Sequence, residues 1–259
     1  FNPVDVLVVN VDDDVSGFTL GIPSTAQTTE AGAKAEFTIV LDAKPTGDVE
    51  LDIVSDAPGE GQPSVSTITF TTANWNQPQT IEVVGLNDAI DDGDRPYKIT
   101  VSVKASTDPQ YAGLPAKSID LVNLDDDTAG INVVASPPLT TSEAGDQATF
   151  TISLNSEPVA PVTLSFTASD PSEVTLDIES HTFSAATWDQ PLTVTATGID
   201  DLLDDGDVPF QVTFAPTLSA DPLYDAINLP SINGVNTGTD TFELEVIGFS
   251  VPATVALLD

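Results

Sequence analysis

The chain has no cysteine and no methionine, a single histidine, two tryptophans and only six basic residues in 259. Without cysteine there is no disulfide framework and no thiol chemistry. His181 has neither a second imidazole nor a thiol to complete a nucleophilic site, and at a strand position it reads as structural. All six basic residues, Lys34, Lys44, Arg95, Lys98, Lys104 and Lys117, precede residue 128, against 41 acidic residues and a net charge of −35. That balance excludes nucleic acid and anionic lipid surfaces as partners. Membrane insertion is not expected either, since the apolar tail from Val246 to Leu258 is too short to span and contains Pro252. Helical runs of Ala, Leu, Glu and Lys are missing, while Thr, Val and Ile abound, which favours strands. No Asn-x-Ser/Thr acceptor occurs, in keeping with a bacterial origin. Residue 1 is Phe and no signal peptide is present, so a processed chain or a piece of a longer one is expected.

What is abundant is aspartate, which outnumbers glutamate 30 to 11. Asp forms helices and strands poorly and turns well, so the charge should sit in loops. Apolar content of 40% is that of a folded protein, and the length suits two domains. The acidic residues recur with a fixed offset of 113. Glu30-Ala31-Gly32 returns as Glu143-Ala144-Gly145, and Asn87 to Asp94 returns as Asp200 to Asp207. Asp125-Asp126-Asp127 is matched upstream by Asp12-Asp13-Asp14. From Thr28 to Pro45, 10 of 18 positions are identical at this offset without a gap. Such self-similarity means an array of like modules. The boundaries expected are residues 1–14 as the last strand and Asp linker of a preceding module, 15–127 and 128–240 as two modules, and 241–259 as the start of a following segment.

Period-two alternation between turn signals marks the strands. In the first module these are A near Phe18–Ile22, B at Glu36–Leu41, C at Val49–Val54, D at Val65–Phe70, E at Thr80–Gly85, F at Tyr97–Val103 and G at Ser118–Leu124. The second module repeats the pattern from Thr149–Leu154 to a G strand near Ser231–Val235. Seven short strands per roughly 100 residues describe an immunoglobulin-like sandwich, so the fold class is all-β, two sandwich modules in tandem.

Strand parity then gives a geometric expectation. If successive strands reverse direction, the A–B, C–D and E–F loops and the exit from G share one end. Those places hold Glu30, Asp56 with Glu60, Asn87 to Asp94, and Asp125 to Asp127. At ~4–5 Å and an effective dielectric of about 20, each like-charge pair repels by roughly 3–4 kcal/mol. A cage of this kind attracts Ca²⁺, which takes six to eight oxygens in flexible geometry. A merely solvated acidic surface would explain the net charge but not the recurrence of the same positions on one rim. The spacing is not that of an EF-hand loop.

Glu-x-Gly after strand A, a Thr-Phe strand leading to Asn74-Trp75, an Asp pair with Asp-Gly-Asp in the E–F loop, and a closing Asp triplet resemble the Calx-β domain. In particular they resemble its tandem form in large bacterial surface proteins and adhesins, over about residues 16–127 and 129–240. The resemblance implies a seven-stranded sandwich with two or more Ca²⁺ ions at one tip. Carried over, it implies as ligands Glu30, Asp56, Asp88, Asp91 or Asp92, and Asp125, Asp126 and Asp127, with Asp12, Asp13 and Asp14 as the preceding equivalent. In the second module the implied set is Glu143, Asp170, Asp201, Asp204 or Asp205, and Asp240. Two departures stand out. Asn87 replaces the Asp kept as Asp200, and the second module closes with Thr237-Gly238-Thr239-Asp240, which points to fewer or weaker ions there.

The function expected is a non-catalytic, calcium-stiffened spacer in a secreted or cell-surface protein of a Gram-negative bacterium, with calcium ions and neighbouring modules as its partners. The alternatives are a carbohydrate- or matrix-binding adhesion module and a filament subunit assembled by strand complementation. Paired carboxylates can hydrolyse glycosides. Pairs repeated in every module argue for a structural ion instead. Trp75 and Trp188, each following a strand and preceding Gln-Pro, read as caps on the core.

Overall fold

A computed structural model of the chain describes residues 5, 8–11, 13–23, 25–135, 138–201, 203 and 205–239. The chain divides into two compact units, Phe1–Thr128 and Ala129–Asp259. Among the described residues all regular structure is β, and none of them forms a helix long and apolar enough to cross a membrane. The segment 241–259 and the site candidates Asp12, Asp204 and Asp240 lie outside the described residues. Of residues 1–14, the described ones form no strand. A ladder needs a partner for its N–H and C=O groups, and no described strand pairs with them.

The first unit contains β1 (Phe18–Gly21), β2 (Gln27–Thr29), β3 (Lys34–Leu41), β4 (Val49–Ser55), β5 (Gly61–Pro63), β6 (Thr67–Phe70), β7 (Gln79–Gly85), β8 (Arg95–Ser106) and β9 (Lys117–Leu124). They form two sheets, β1-β3-β7-β5 and β2-β9-β8-β4-β6. Alternation decides which face is buried. Along β3, Ala35, Phe37, Ile39 and Leu41 are buried and their neighbours are not. Along β4 the same holds for Val49, Leu51 and Ile53. These residues join Ile81, Val83, Ile99, Val101 and Leu121 in one core drawn from both sheets. That shared core makes the unit a sandwich. Trp75 packs against it.

Nine segments replace the seven expected, because the strands at the sheet edges break. Strand A ends at Gly21, two residues before Pro23, which lacks the N–H a ladder needs. The chain then crosses to the other sheet as β2, which runs parallel to β9. Ahead of strand D, β5 pairs with β7 in the first sheet, and β6 pairs with β4 in the second.

The second unit repeats the scheme with β10 (Ile131–Ala135), β11 (Leu139–Ser142), β12 (Gln147–Leu154), β13 (Val162–Ala168), β14 (Val174–Leu176), β15 (Ser180–Phe183), β16 (Leu192–Gly198), β17 (Val208–Phe214), β18 (Leu218–Ser219) and β19 (Ile232–Thr237). Its sheets are β10-β12-β16-β14 and β11-β19-β17-β13-β15, with β18 pairing β13. Phe150, Ile152, Leu164, Val194 and Phe210 lie in its core, with Trp188 packed against them.

At the end of the sandwich away from the acidic rim, a buried tyrosine in each unit ties the chain after strand B to the F–G connection. Tyr111 donates its hydroxyl to the Ala43 carbonyl at 2.5 Å and accepts the Ala43 N–H at 3.3 Å. Tyr224 does the same at Ser156, donating to its carbonyl at 2.8 Å and accepting its N–H at 3.1 Å. Asp108 accepts the N–H groups of Thr46 and Gln110, which hold its carboxyl below the usual range. Replacing Tyr111 by Phe strands both Ala43 groups in a dry site, so Tyr111→Phe should cost roughly 1–3 kcal/mol. Denaturant unfolding checks this: the first unit's transition should shift to lower midpoint while the second's stays.

Candidate metal centre

Among the described residues, three groups of carboxylates gather on the tips. In the first unit, one oxygen each from Glu30, Asp88 and Asp127 lie within 4.8 Å of one another, and so do oxygens from Glu60, Asp88 and Asp92. In the second unit Glu173, Asp201 and Asp205 do the same. The two groups of the first tip share Asp88.

Local backbone pairing places each side chain. The parallel β2–β9 register sets Thr29 opposite Leu124, and the Glu30 N–H then donates to the Leu124 carbonyl at 3.0 Å. Glu30 is thereby seated next to the triplet that follows β9. Gly32 closes the turn behind it at φ +93°, a conformation that favours glycine, with its N–H on the Thr29 carbonyl. Gly145 repeats this at φ +85° behind Glu143, whose N–H meets the Thr237 carbonyl at 3.2 Å. Gly85, at the end of β7, permits the close approach: a Cβ there would stand 2.5 Å from the Thr29 carbonyl and 2.4 Å from Asn123 Oδ1.

Glu60 is positioned by β5. Gly61 pairs with Gly85, and the Glu60 carbonyl accepts the Leu86 N–H at 2.9 Å, which brings Glu60 against the loop after β7. Glu173 has the same relation to Ile199, at 2.9 Å. Behind both glutamates lies a buried polar chain. Thr28 donates to Asn123 Oδ1 at 2.9 Å, and Asn123 Nδ2 reaches the Leu86 carbonyl at 2.9 Å and Glu60 at 3.5 Å. In the second unit Thr141 donates to Asn236 at 2.9 Å, and Asn236 reaches the Ile199 carbonyl and Glu173, both at 3.1 Å.

The electrostatics of the first tip are unbalanced. Glu30 is only 6% exposed, and its Oε2 and the Asp127 Oδ2 are buried without a hydrogen-bond partner. Burial, then the charges of Asp88, Asp125 and Asp127, push the Glu30 carboxyl from 4.5 up to about 7, against a lowering bond from the Asp126 backbone N–H. Burial, then Asp125 and Asp126, raise Asp127 as well. Buried unpaired carboxylates are rare because the cost is high. Glu30 and half-buried Asp127, each with one buried unpaired oxygen and gathered with Asp88, form a site for a cation. All the donors are oxygen, with neither imidazole nor thiolate, which suits a hard ion such as Ca²⁺.

The other implied ligands take varied places. Asp125 braces the backbone, accepting the Gly93 N–H at 2.6 Å and the Asp127 N–H at 2.8 Å. Asp91 contributes charge toward Asp127. Asp126 is exposed, as are Asp13 and Asp14. Glu143 is buried, and its Oε2 accepts the Thr239 N–H at 2.5 Å and the Thr239 hydroxyl at 3.3 Å.

Asp56 and Asp170 are in none of the groups. Asp56 accepts the Lys98 N–H at 2.7 Å, and Asp170 caps its own turn through the Ser172 hydroxyl and N–H, which lower its pKa. Their places are taken by Glu60 and Glu173. The 113 offset carries the signal: it maps Glu60 onto Glu173, whereas it maps Asp56 onto Ser169.

No family model matches the chain, and no curated protein matches it. Among solved structures it is similar to CBD12 from CALX1.2, at 10% identity and a TM-score of 0.36 over 84% of this chain and 98% of that one. It is also similar to the calcium binding domain CBD12 of CALX1.1, at 11% and 0.31 over 74% and 77%. A third likeness is to domains 4 and 5 of the S-layer protein SbsC, at 12% and 0.32 over 88% and 100%. Likenesses this distant carry no argument about the site, which rests on its own geometry.

The raised Glu30 pKa has a definite sign in stability. Between about pH 4.5 and 7 the cation-free folded unit keeps a proton that the unfolded chain has lost. The favourable contribution is complete below 4.5 and disappears as pH rises through about 7. In chelator, the first unit should lose stability over that window, and Glu30→Gln should flatten the loss. Equal slopes in denaturant titrations of the two proteins would contradict this.

Proposed function

We propose that the chain is a calcium-binding structural protein, two immunoglobulin-like modules of Calx-β type acting as a spacer. The observation that carries this reading is that Glu30 and Asp127, each with a buried oxygen that lacks a hydrogen-bond partner, gather with Asp88. A divalent cation held by these three would supply the missing partner for both oxygens and offset the repulsion among the carboxylates. Glu173, Asp201 and Asp205 are the corresponding candidates in the second unit. The role is non-catalytic: the ion cements loop to loop and is not presented to a substrate. A secreted or cell-surface setting accords with the sequence resemblance and with calcium sites of extracellular modules, which fill at about 10⁻⁴–10⁻³ M.

Calcium would act on the spacer through the residues that follow β9. Asp127 is one residue from the division between the units, at Thr128. Liganding it fixes the backbone that leads into the second unit, and without the ion the like charges favour a hinge.

Calcium binding to the folded state alone adds RT ln(1 + [L]/Kd), or ~4 kcal/mol at a thousandfold excess over Kd. Millimolar Ca²⁺ should therefore raise the melting temperature clearly above that in chelator, and Asp88→Asn should remove most of the first unit's gain. An unchanged melting temperature would sink the calcium reading. Small-angle scattering tests the spacer role separately, with an extended rod expected in calcium and a broader, bent ensemble in chelator. Equal maximum dimension and flexibility in both conditions would refute stiffening even if calcium binds.

A further inference from the structure

The two acidic groups of the first tip share Asp88 and yet differ in kind. One contains Glu30 and Asp127, the two residues with a buried carboxylate oxygen that lacks a partner. The other already has a cation beside it: Arg95 Nε lies 2.7 Å from Asp92 Oδ2, with side-chain exposures of 48% and 19%. Arg95 opens β8 opposite Asn123 of β9, and Asn123 is the residue whose amide reaches Glu60. The guanidinium thus stands next to the Glu60–Asp88–Asp92 group, where Glu60 and Asp88 add to the field that Asp92 sets up around it. Other ion pairs lie elsewhere, between Lys34 and Glu82, Lys98 and Asp120, and Lys104 with Glu50 and Asp52.

The second unit supplies an internal comparison. The residue 113 positions after Arg95 is Val208, and the chain has no basic residue beyond Lys117. Asn87, whose amide donates to the Asp88 carbonyl at 2.5 Å, is replaced there by Asp200. Residues 87–95 hold four Asp and one Arg, net −3, whereas residues 200–208 hold five Asp, net −5. One difference removes a negative charge from the first tip and the other adds a positive one, and both fall beside its Arg-paired half.

We propose that Arg95 is a built-in counter-cation for the Glu60–Asp88–Asp92 half of the first tip, standing where a second divalent ion would otherwise bind and confining tight divalent binding to Glu30, Asp88 and Asp127. Guanidinium suits the task because it stays protonated at every working pH and matches carboxylate geometry. Its single positive charge, a few ångströms from the place of a doubly charged ion, disfavours that ion by about tenfold or more in affinity. The Asp125–Asp127 triplet by itself favours a fuller first tip, and Arg95 sets the limit on it. In the second unit Val208 offers no such charge.

The inference rests on the calcium reading, and one set of titrations separates the two. The full chain, stripped with chelator, is titrated calorimetrically with Ca²⁺ as wild type, Arg95→Val and Arg95→Lys. Arg95→Val, which installs the second unit's residue, should bind one further ion per chain or tighten the weakest step by about tenfold or more, with the tightest step unchanged. Arg95→Lys keeps the charge and should follow the wild type. An Arg95→Val isotherm that superimposes on wild type, or one in which only the tightest step changes, overturns the role of Arg95 while leaving calcium binding intact. If the wild type takes no calcium the calcium reading fails. Arg95 as a competitor then falls too unless Arg95→Val gains an ion, which would sustain it.

Discussion

Two carboxylate oxygens, on Glu30 and Asp127, are taken out of water with nothing to receive a hydrogen bond from. A folded chain leaves few such groups, because each costs as much as a lost hydrogen bond and more when charged. Much of the surrounding architecture serves to bring these two together. The crossover after Pro23 moves the chain to the second sheet, and the parallel β2–β9 register then sets Glu30 against the residue that follows Leu124. Remove that crossover and Glu30 would continue along the first sheet, away from the triplet.

The sandwich supports the tip from behind with groups that are already satisfied. Thr28 and Asn123 in one unit, and Thr141 and Asn236 in the other, form matching buried hydrogen bonds, and each Asn amide goes on to a loop carbonyl. Such networks rigidify when every member is paired. The tip thus combines a rigid, satisfied inner layer with an outer layer of mutually repelling carboxylates, an arrangement that favours a cation over rearrangement. The two units keep the inner layer and vary the outer one, through Asn87 and Asp200, Arg95 and Val208, and Asp126 and Thr239.

Much of this was legible from residues alone. Alternation located strand B, because a strand with one buried face has no other pattern to offer. The internal offset and strand reversal pointed to the rim on which the carboxylates gather. The edge segments were not legible. β5 and β14 are three residues each and carry no alternation to read. Asp56 and Asp170 stood as ligands by carry-over from the resemblance, whereas Glu60 and Glu173, beside those edge segments, are the residues grouped. An Asp in a turn reads alike whether it caps its own backbone, as Asp170 does, or faces an ion. Their place in the fold distinguishes them, and for Glu60 and Glu173 that place is set by the edge strands that pair with β7 and β16. Arg95 was recognised only as a basic residue, since its partner Asp92 is fixed by the loop and not by any period.

The central claim is that a cation completes the Glu30–Asp88–Asp127 group, and its most direct test is anomalous diffraction from crystals grown in calcium. The account predicts a peak bonded to Glu30 Oε2 and Asp127 Oδ2 at calcium–oxygen distances of about 2.3–2.6 Å. A direct hydrogen bond between Glu30 and Asp127, sharing a proton with no anomalous peak between them at neutral pH and millimolar calcium, would contradict it.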